Sequence, residues 1–491
     1  MNIYLLNAVP VAAAFIIALY AVHWIYFRIL YIAKHKNFVD NPDARKLQQE
    51  PIPVMGGIAV FFGVAMGLLI GYFIGVVVGV EFRTLMMPVL AAMVLMLYIG
   101  AIDDIMGLTP KVRFVIEIVT VLGLIFTSGG CIDTLHGVWG IESFSWWIAV
   151  PLTVFAGVGI INAVNMIDGV NGLSSSLCGV SCIVFGIVFM RAGDVSNAVL
   201  AFTTAGALLP FMVHNIFGLR SRMFIGDAGT MVMGLLMTWF TISLLRSNSP
   251  IEYYDAVDGV NLIAFALAVL CVPVFDTIRV MVMRIVRGES PFHPDKTHLH
   301  HVFVNVGVSH FFTAMTELLI MLVVVSSLWV SVLFDASVEW QLYIVILASM
   351  LFVWGTYIII NYHAVRHTPF LHWLVNFSIQ THLGRKSWWK NLSARLDAPE
   401  DFFERKLNAE IPVPPTFVPD EEGDEDRRKI LAFMKGRAEV MVHDIVNHSG
   451  ANPSRVIPIL YEETADGWIR IIKTLPSGQP EIVTLVGKTA Q

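Results

Sequence analysis

The sequence has few charged side chains: only 14% of its 491 residues are Asp, Glu, Lys or Arg. Soluble domains carry about 25% charged residues, and the mean hydropathy of +0.70 indicates an apolar chain. This composition excludes a disordered chain and argues against an ordinary soluble enzyme. No basic patch is interleaved with aromatic residues, so we predict no nucleic-acid binding. These absences leave a protein with several membrane spans as the leading class.

Cysteine is also scarce. None of the four cysteines has the spacing of a zinc site, and all lie in or beside apolar runs (Cys131, Cys178, Cys182, Cys271). Four cysteines in 491 residues do not make a disulfide scaffold either. We therefore predict buried, unreactive thiols.

The apolar runs predict an all-α polytopic membrane protein with about eleven transmembrane helices, since a span needs about 20 mostly apolar residues. The predicted spans are residues 5–27, 54–80, 85–102, 112–128, 144–163, 172–190, 196–216, 228–245, 260–283, 311–334 and 341–362. Half of the 32 Arg and Lys residues lie in residues 363–491. We therefore predict a membrane core over residues 1–362 and a polar tail after it.

The basic residues also predict an orientation. Eleven spans put the termini on opposite sides of the membrane, and one set of loops holds 13 of the 16 Arg and Lys residues of the core. By the positive-inside rule, this set is cytoplasmic. The N-terminus is then outside and the tail is in the cytoplasm. The first span does not resemble a cleaved signal peptide, because its basic residues follow the apolar run.

Polar residues that packing does not explain all fall in the basic loops. These loops contain PDARKLQQEPIPVMGG (42–57), IGAIDDIMGLTPK (99–111), NAVNMIDGVNG (162–172), RMFIGDAGT (222–230) and SPFHPDKTHLHH (290–301). Four aspartates lie there at the ends of different spans (Asp103, Asp104, Asp168, Asp227). Carboxylates at a membrane boundary are costly unless they are paired or bound to a cation, and hard oxygen ligands suit Mg²⁺. With nearby basic residues and histidines, they predict phosphoryl transfer from a soluble cytoplasmic phosphate donor.

Each residue taken alone has a simpler explanation. A single aspartate at a helix end is most often a cap or solvated, and Asn162 and Asn165 could join helices by hydrogen bonds. The occurrence of such residues in the last four of these loops, all on one side, favours a site over these explanations. A transporter or channel is the main competing class. Such proteins place ionisable residues near the bilayer midplane and often contain repeats, whereas here the acids lie at helix ends and no repeat is visible.

With these motifs, the core resembles the polyprenyl-phosphate N-acetylhexosamine-1-phosphate transferase family over about residues 40–305. PDKTHLHH and RKLQQEPIPVMGG resemble its GlcNAc-1-phosphate branch more than its MurNAc-pentapeptide branch. The resemblance implies transfer of a sugar-1-phosphate from a UDP-N-acetylhexosamine to undecaprenyl phosphate, with release of UMP. It also implies Mg²⁺ as cofactor, with Mn²⁺ as the alternative, and a place in the bacterial cytoplasmic membrane among its lipids. Homodimers are common in this family.

The resemblance also implies roles for individual residues. Catalytic roles fall on Asp103, Asp104, Asp168 and His298, and metal binding falls on Asp227 with Asp104 and Asp168. Substrate contacts fall on Lys111, Asn165, Asn171, Arg284, Arg287, His300, His301, Arg45 and Lys46. Asp103 is the first choice to deprotonate or orient the lipid phosphate. Direct in-line attack and a two-step route through an aspartyl nucleophile both stay open.

One position departs from the family pattern. The chain reads DGVNG, with Asn171 where the family usually has Asp. Asn keeps the size and one acceptor oxygen but loses the charge, so we assign Asn171 to the donor site. A changed substrate preference, a lost activity and a relative that binds lipid phosphate without catalysis all stay open.

The tail divides into three predicted parts. Residues 363–410 mix aromatic and basic residues, which suits either a helix on the cytoplasmic leaflet or an ordinary connector. Residues 411–426 are typical of a Pro-rich acidic linker. Residues 427–491 predict a small α+β module, with a helix over 427–446 and strands in VIPILYEE, GWIRIIKTL and EIVTLVG.

Overall fold

The structure is a computed structural model. It describes residues 3–40, 51–80, 82, 86–247, 249, 259–291, 296–380, 386–410, 421–435, 437, 439–465, 469–474 and 480–485. The predicted substrate residues Arg45 and Lys46 lie outside these ranges. The chain forms two compact units, Met1–Glu400 and Asp401–Gln491.

Helices make up nearly all of the first unit, which confirms the predicted all-α membrane fold. In chain order the elements that begin in this unit are α1 (Ile3–His35), β1 (Val39–Asp40), β2 (Ile52–Pro53), α2 (Gly56–Val78), α3 (Met86–Met106), α4 (Pro110–Ser128), α5 (Trp146–Met166), α6 (Leu173–Arg191), α7 (Val195–Phe217), α8 (Gly226–Leu245), α9 (Leu262–Val269), α10 (Cys271–Val286), α11 (Leu299–Asn305), α12 (His310–Leu333), α13 (Val338–Ser349), α14 (Gly355–Val365), α15 (Pro369–Gln380) and α16 (Ser387–Glu410). A π-helical turn, Met350–Trp354, joins α13 to α14. The four cysteines are free and buried, as predicted.

Among the described residues, nine helices are long and apolar enough to cross a membrane, or ten if the bent pair α9–α10 is one span. The prediction of about eleven differs because α4 carries Lys111, Arg113 and Glu117. The contacts nevertheless show that α4 runs between the same two ends as its neighbours. It begins beside Asp103, and just beyond its other end Asp133 accepts a hydrogen bond from the Ser247 amide at 2.6 Å.

The predicted span 260–283 is not one straight helix. The chain bends by 80° between α9 and α10. Pro273 lies in the first turn of α10 and has no amide hydrogen to donate to the carbonyl of Val269, four residues earlier. The break at Leu270 therefore lies where the proline removes a hydrogen bond that would continue α9 into α10.

Helix α8 is the centre of the bundle, because its most apolar 18-residue window is wholly buried. Small residues let neighbouring backbones come close to its first turn. A Cβ atom added at Gly57 of α2 would lie 2.2 Å from the Gly229 amide nitrogen. One added at Gly100 of α3 would lie 2.4 Å from the Ala228 Cα. The first turn of α8, with Asp227, is thus fixed between α2 and α3.

The second unit contains helices and a small antiparallel sheet. Its elements are α17 (Glu421–Met434), β3 (Val440–Met441), α18 (Val442–His448), α19 (Pro453–Ala465), β4 (Ile469–Thr474) and β5 (Pro480–Leu485), with strand order β3-β5-β4. An α+β fold and the two strands in GWIRIIKTL and EIVTLVG are confirmed. The acidic segment 421–426 is helical, so the predicted linker does not reach residue 426, and the predicted helix 427–446 is interrupted by β3.

The VIPILYEE segment was expected to be a strand, and this prediction is wrong. It lies in α19, where Val456, Ile459, Leu460 and Glu463 are all fully buried. These positions follow the i, i+3, i+4, i+7 pattern of one helix face. The apolar run was too short to distinguish this period from strand alternation.

Candidate active site

The site begins where α3 ends. Gly107 takes a positive φ of 68° and turns the chain into α4. This turn lets the Asp103 carboxylate accept hydrogen bonds from the Leu108 amide at 2.7 Å and from Arg113 Nη1 at 2.9 Å. Asp103 is therefore engaged by its own turn and by the first residues of α4.

Arg113 connects the acidic residues of three helices. Its Nη2 donates to Asn165 Oδ1 at 2.7 Å, and its Nη1 lies 3.8 Å from Asp227 Oδ1. Its Nε lies 3.6 Å from Glu117 Oε1, one turn further along α4. A guanidinium fork can bind several oxygens at fixed angles, which a lysine cannot do.

The sequence interpretation missed Arg113. It assigned the basic role to Lys111, which is exposed at the start of α4. A signal was available: Arg113 and Glu117 form an (i, i+4) pair of opposite charge in an otherwise apolar helix. Glu117 is buried and also accepts a hydrogen bond from Asn162 of α5.

Asn165 joins the end of α5 to the beginning of α8. Its Nδ2 donates to Asp227 Oδ1 at 2.5 Å and to Thr230 Oγ1 at 2.7 Å, while its Oδ1 receives Arg113. The predicted site residues Asn165, Asp103 and Asp227 are therefore brought together in one hydrogen-bonded network.

Asp104 caps α8. Its two carboxylate oxygens accept hydrogen bonds from the backbone amides of Asp227 at 2.8 Å and Ala228 at 3.1 Å. These amides have no partner within the helix, and a negative charge at a helix N-terminus is favourable. Asp104 thus fixes the direction of Asp227. Its role as a metal ligand stays a prediction.

Asp168 lies in the turn between α5 and α6, where Ser174 Oγ donates to its Oδ1 at 2.5 Å. Burial raises the pKa of Asp168 to about 7, which the Ser174 hydrogen bond opposes and the Asp227 charge reinforces. The carboxyl therefore needs a nearby cation to hold its full charge at neutral pH.

The predicted histidines lie beside this turn. His298 Nδ1 bonds Asp276 Oδ2 at 2.8 Å, and Asp276 also accepts from Arg279 at 2.7 Å. The His300 ring packs against Gly169, since a Cβ there would lie 2.6 Å from His300 Nε2. Asp276 and Arg279 were missed, although their (i, i+3) spacing in an apolar helix singles them out.

His300 is buried, and neither of its ring nitrogens has a hydrogen-bond partner among the described residues. Burial, together with His301 and His298, lowers the pKa of His300 well below its ordinary value. The ring is therefore neutral at pH 7. One nitrogen can then donate to a substrate and the other can accept from it.

The remaining predicted residues have different surroundings. The backbone N–H of Asn171 donates to His310 Nδ1 at 3.4 Å, and the His301 ring lies against that of His300 with centroids 4.4 Å apart. Arg284 is buried and donates to the Pro291 carbonyl at 2.7 Å. Arg287 is exposed at the end of α10.

The donor set fits a divalent cation. Four carboxylates, which we call the carboxylate cluster (Asp103, Asp104, Asp168, Asp227), are accompanied by the guanidinium of Arg113. A bound cation would offset this excess of negative charge at a partly buried place. Within the described residues, no three Asp, Glu, His or Cys side chains are grouped to hold a metal ion by themselves. Mg²⁺ typically uses only one or two protein carboxylates together with substrate phosphates.

Fold and site together define the class of protein. It is a helical membrane protein in which acidic, basic and histidine side chains meet at one end of the bundle. The profile of glycosyl transferase family 4 matches residues 86–245, from α3 to the end of α8. The undecaprenyl-phosphate alpha-N-acetylglucosaminyl 1-phosphate transferase of Yersinia pestis is 31% identical over 281 residues, 55% of this chain and 70% of that protein. The chain belongs to glycosyl transferase family 4.

Two further relatives have similar names. A probable undecaprenyl-phosphate N-acetylglucosaminyl 1-phosphate transferase of Bacillus subtilis is 30% identical over 303 residues, 62% of this chain and 79% of the relative. The decaprenyl-phosphate N-acetylglucosaminephosphotransferase of Mycolicibacterium smegmatis is 33% identical over 314 residues, 60% of this chain and 75% of the relative. The family that the motifs indicated is thereby confirmed.

Proposed function

We propose that this protein is a phosphotransferase that moves N-acetylglucosamine-1-phosphate from UDP-N-acetylglucosamine to undecaprenyl phosphate and releases UMP. The observation that carries the proposal is the network in which Arg113 and Asn165 join the carboxylates at the end of α3 and the beginning of α8. The relatives' names supply the donor sugar and the lipid. Such a reaction is the first membrane step of a cell-envelope polysaccharide pathway.

In the overall reaction, an oxygen of the lipid phosphate forms a bond to the phosphorus that carries the sugar, either directly or through a covalent intermediate. The bond from that phosphorus to the bridging oxygen breaks, and UMP leaves. Bound Mg²⁺ would be held by Asp227 with Asp168 and would neutralise charge on the leaving phosphate. Asp103 and Asn165 already hold the Arg113 side chain in place. Its remaining N–H groups can therefore bind phosphate oxygens without any further ordering of the side chain during the reaction.

The histidines suit the donor side of the site. His298 is fixed by Asp276, and neutral His300 offers both ring nitrogens beside Gly169. We assign these rings to the UDP-sugar and Asn171 to the same region. It remains a prediction that Asp103 orients or deprotonates the lipid phosphate. Direct attack and a covalent intermediate both stay open.

Purified protein supplied with undecaprenyl phosphate, Mg²⁺ and a panel of UDP-sugars tests the proposal. We expect UMP release that depends on UDP-N-acetylglucosamine, on the lipid and on Mg²⁺. The Asp227→Asn variant should lose at least about 100-fold in turnover while keeping its melting temperature, because it loses charge without losing size. If UMP is released from none of the UDP-sugars, the proposal is overturned. Full activity of Asp227→Asn would overturn the metal assignment.

The apolar helices indicate a multi-pass membrane protein. We propose the bacterial inner membrane as its location, with the carboxylate cluster and the tail on the cytoplasmic face, where a soluble UDP-sugar is available. Homodimer formation is proposed from the family resemblance alone.

A further inference from the structure

The loop that leads into Asp227 is contacted from several helices. This α7–α8 loop (residues 218–225) receives Tyr26 Oη on the Ser221 carbonyl at 2.7 Å and Lys34 Nζ on the Arg220 carbonyl at 2.9 Å, both from α1. Asn215 of α7 donates to the Met223 carbonyl at 2.8 Å. Side chains therefore hold three carbonyl groups of this loop, those of Arg220, Ser221 and Met223.

The end of the α7–α8 loop is tied to the beginning of α2. The Gly56 amide donates to the Phe224 carbonyl at 2.9 Å, and the Gly57 amide donates to the Ile225 carbonyl at 2.7 Å. Gly226 and Asp227 follow directly. The position of the loop therefore sets where the first turn of α8 begins, and with it the position of the Asp227 carboxylate.

The fourth group on this loop comes from the tail. Asp397 of α16 is buried, and its Oδ1 accepts from the Ser221 amide at 3.0 Å and from Ser221 Oγ at 2.7 Å. Its Oδ2 lies 3.3 Å from the amides of both Leu219 and Arg220. Burial alone would raise the pKa of Asp397, but these hydrogen bonds outweigh it and lower the pKa. The carboxylate is therefore charged at neutral pH.

One face of α16 packs against the end of α7 and the α7–α8 loop, and its Trp389 ring also meets that of Phe311 in α12, with centroids 5.6 Å apart. The Trp389 ring lies 4.4 Å from that of Phe217 between centroids, and Ser393 Oγ donates to the Phe217 carbonyl at 2.6 Å. Residues 389, 393 and 397 are spaced by four and therefore share one side of the helix. This side is buried, whereas Asn391 and Arg395 are exposed. Trp389 and Ser393 thus contact the last residue of α7, and Asp397, one turn further along α16, contacts the α7–α8 loop.

We propose that Asp397 is a positioning residue for the transfer reaction: its carboxylate binds the backbone amides of residues 219–221 and so holds the α7–α8 loop in the conformation that places Asp227. This inference rests on the proposed function. It assigns to the tail a part in the catalytic framework, although Asp397 lies 170 residues after Asp227 in the sequence.

Hydrogen exchange tests the positioning role without any assay of activity. In the full-length protein, Asp397→Asn should raise exchange at the amides of residues 219–221 about tenfold, because hydrogen bonds to a charged acceptor are lost. The proposal further requires faster exchange at the Asp227 and Ala228 amides, which donate to Asp104. Asp397→Glu keeps a carboxylate and should restore part of the protection at both places. Asn391→Ala, an exposed change on the same helix, should match the unchanged protein.

Turnover gives the second readout. Asp397→Asn should lower kcat for UMP release about tenfold and change KM for the UDP-sugar less, because the displaced Asp227 carboxylate acts mainly on the transition state. Asp397→Glu should recover most of the rate, and Asn391→Ala all of it.

Faster exchange at residues 219–221 without any change at residues 227–228 would overturn the positioning role, as would unchanged kcat in an active protein. Unchanged exchange at residues 219–221 would overturn the Asp397 contact itself. Absence of UMP release from the unchanged protein would count against the proposed function alone, because the exchange comparison still decides the positioning role. If Asp397→Asn does not fold, Ser221→Ala replaces it as the variant that weakens the contact with Asp397, and Asp397→Glu remains the variant that keeps the carboxylate.

Discussion

At the scale of single residues, Arg113 is the group on which the site depends most. It is the only cation among the described residues that contacts Asp103, Asn165 and Asp227 together. Removing one partner of a partly buried charge pair leaves the other charges uncompensated. The loss of Arg113 should therefore disturb the whole carboxylate cluster as well as any phosphate bound to it.

We expect Arg113→Ala to lower kcat/KM for UMP release by about 100-fold or more, since charged hydrogen bonds to the transition state are lost. Arg113→Lys should lose about tenfold, because the point charge remains but the fork does not. Arg191→Ala removes an exposed arginine at the end of α6 and serves as the matched control. Equal rates for Arg113→Ala and Arg191→Ala would show that Arg113 has no part in the reaction.

Single-residue chemistry was partly visible in the sequence. The four aspartates, Asn165 and the histidine motif could be selected because charged and polar residues are rare in an apolar chain. Arg113 could not be separated from Lys111 in this way, because which side of α4 faces the bundle depends on α5 and α8. The use of Asp104 as a cap for α8, 123 positions away, also depends on tertiary packing.

At the scale of helices, the close approach of α3 to α8 determines the site geometry. Gly100 is one turn before Asp104 on α3, and a Cβ there would lie 2.5 Å from the Ala228 nitrogen and the Asp227 carbonyl oxygen. These are backbone atoms, so they cannot move away as a flexible side chain could. A larger residue at position 100 must therefore push the two helices apart.

Gly100→Ala should lower the free energy of unfolding by about 1–3 kcal/mol through overpacking and should also reduce turnover, because Asp104 is drawn away from the amides of residues 227 and 228. Thermal melting and UMP release measure the two effects. Gly123→Ala in α4 is the control, since in the described part of the chain no atom outside its own stretch of helix lies within 4 Å of the added Cβ, and it should be neutral or slightly stabilising. A Gly100→Ala protein as stable and active as Gly123→Ala would contradict the close packing.

Helix existence was predictable from long apolar runs, but helix shape was not. The 260–283 run contains Pro273, and prolines also lie inside α5 and α7 without an 80° bend. Whether a proline bends a helix depends on which neighbours accept or replace the lost hydrogen bond. In the second unit, the helix α19 was mistaken for a strand because only its packing against Ile430, Ile445 and Val483 reveals which residues face inward.

At the scale of the whole first unit, the site groups lie at one end of the bundle. The ends of α3 and α5 and the beginnings of α4 and α8 meet in the hydrogen bonds of Arg113 and Asn165. At the opposite end of α4, Asp133 binds Ser247 after α8. The positive-inside rule then predicts that the carboxylate cluster faces the cytoplasm.

Two serine- or threonine-to-cysteine variants test this orientation. Thr109 is exposed just before α4 at the site end, and Ser143 is exposed in the loop after α4 at the other end. The four native cysteines are buried, so background labelling should be low. In sealed spheroplasts, a membrane-impermeant maleimide should label Ser143→Cys at once and label Thr109→Cys only after permeabilisation. The reverse pattern would show that the protein has the opposite orientation. Labelling of both cysteines from outside would mean that α4 does not cross the membrane. Because a UDP-sugar is available only in the cytoplasm, an inverted protein would also be unable to use the proposed donor.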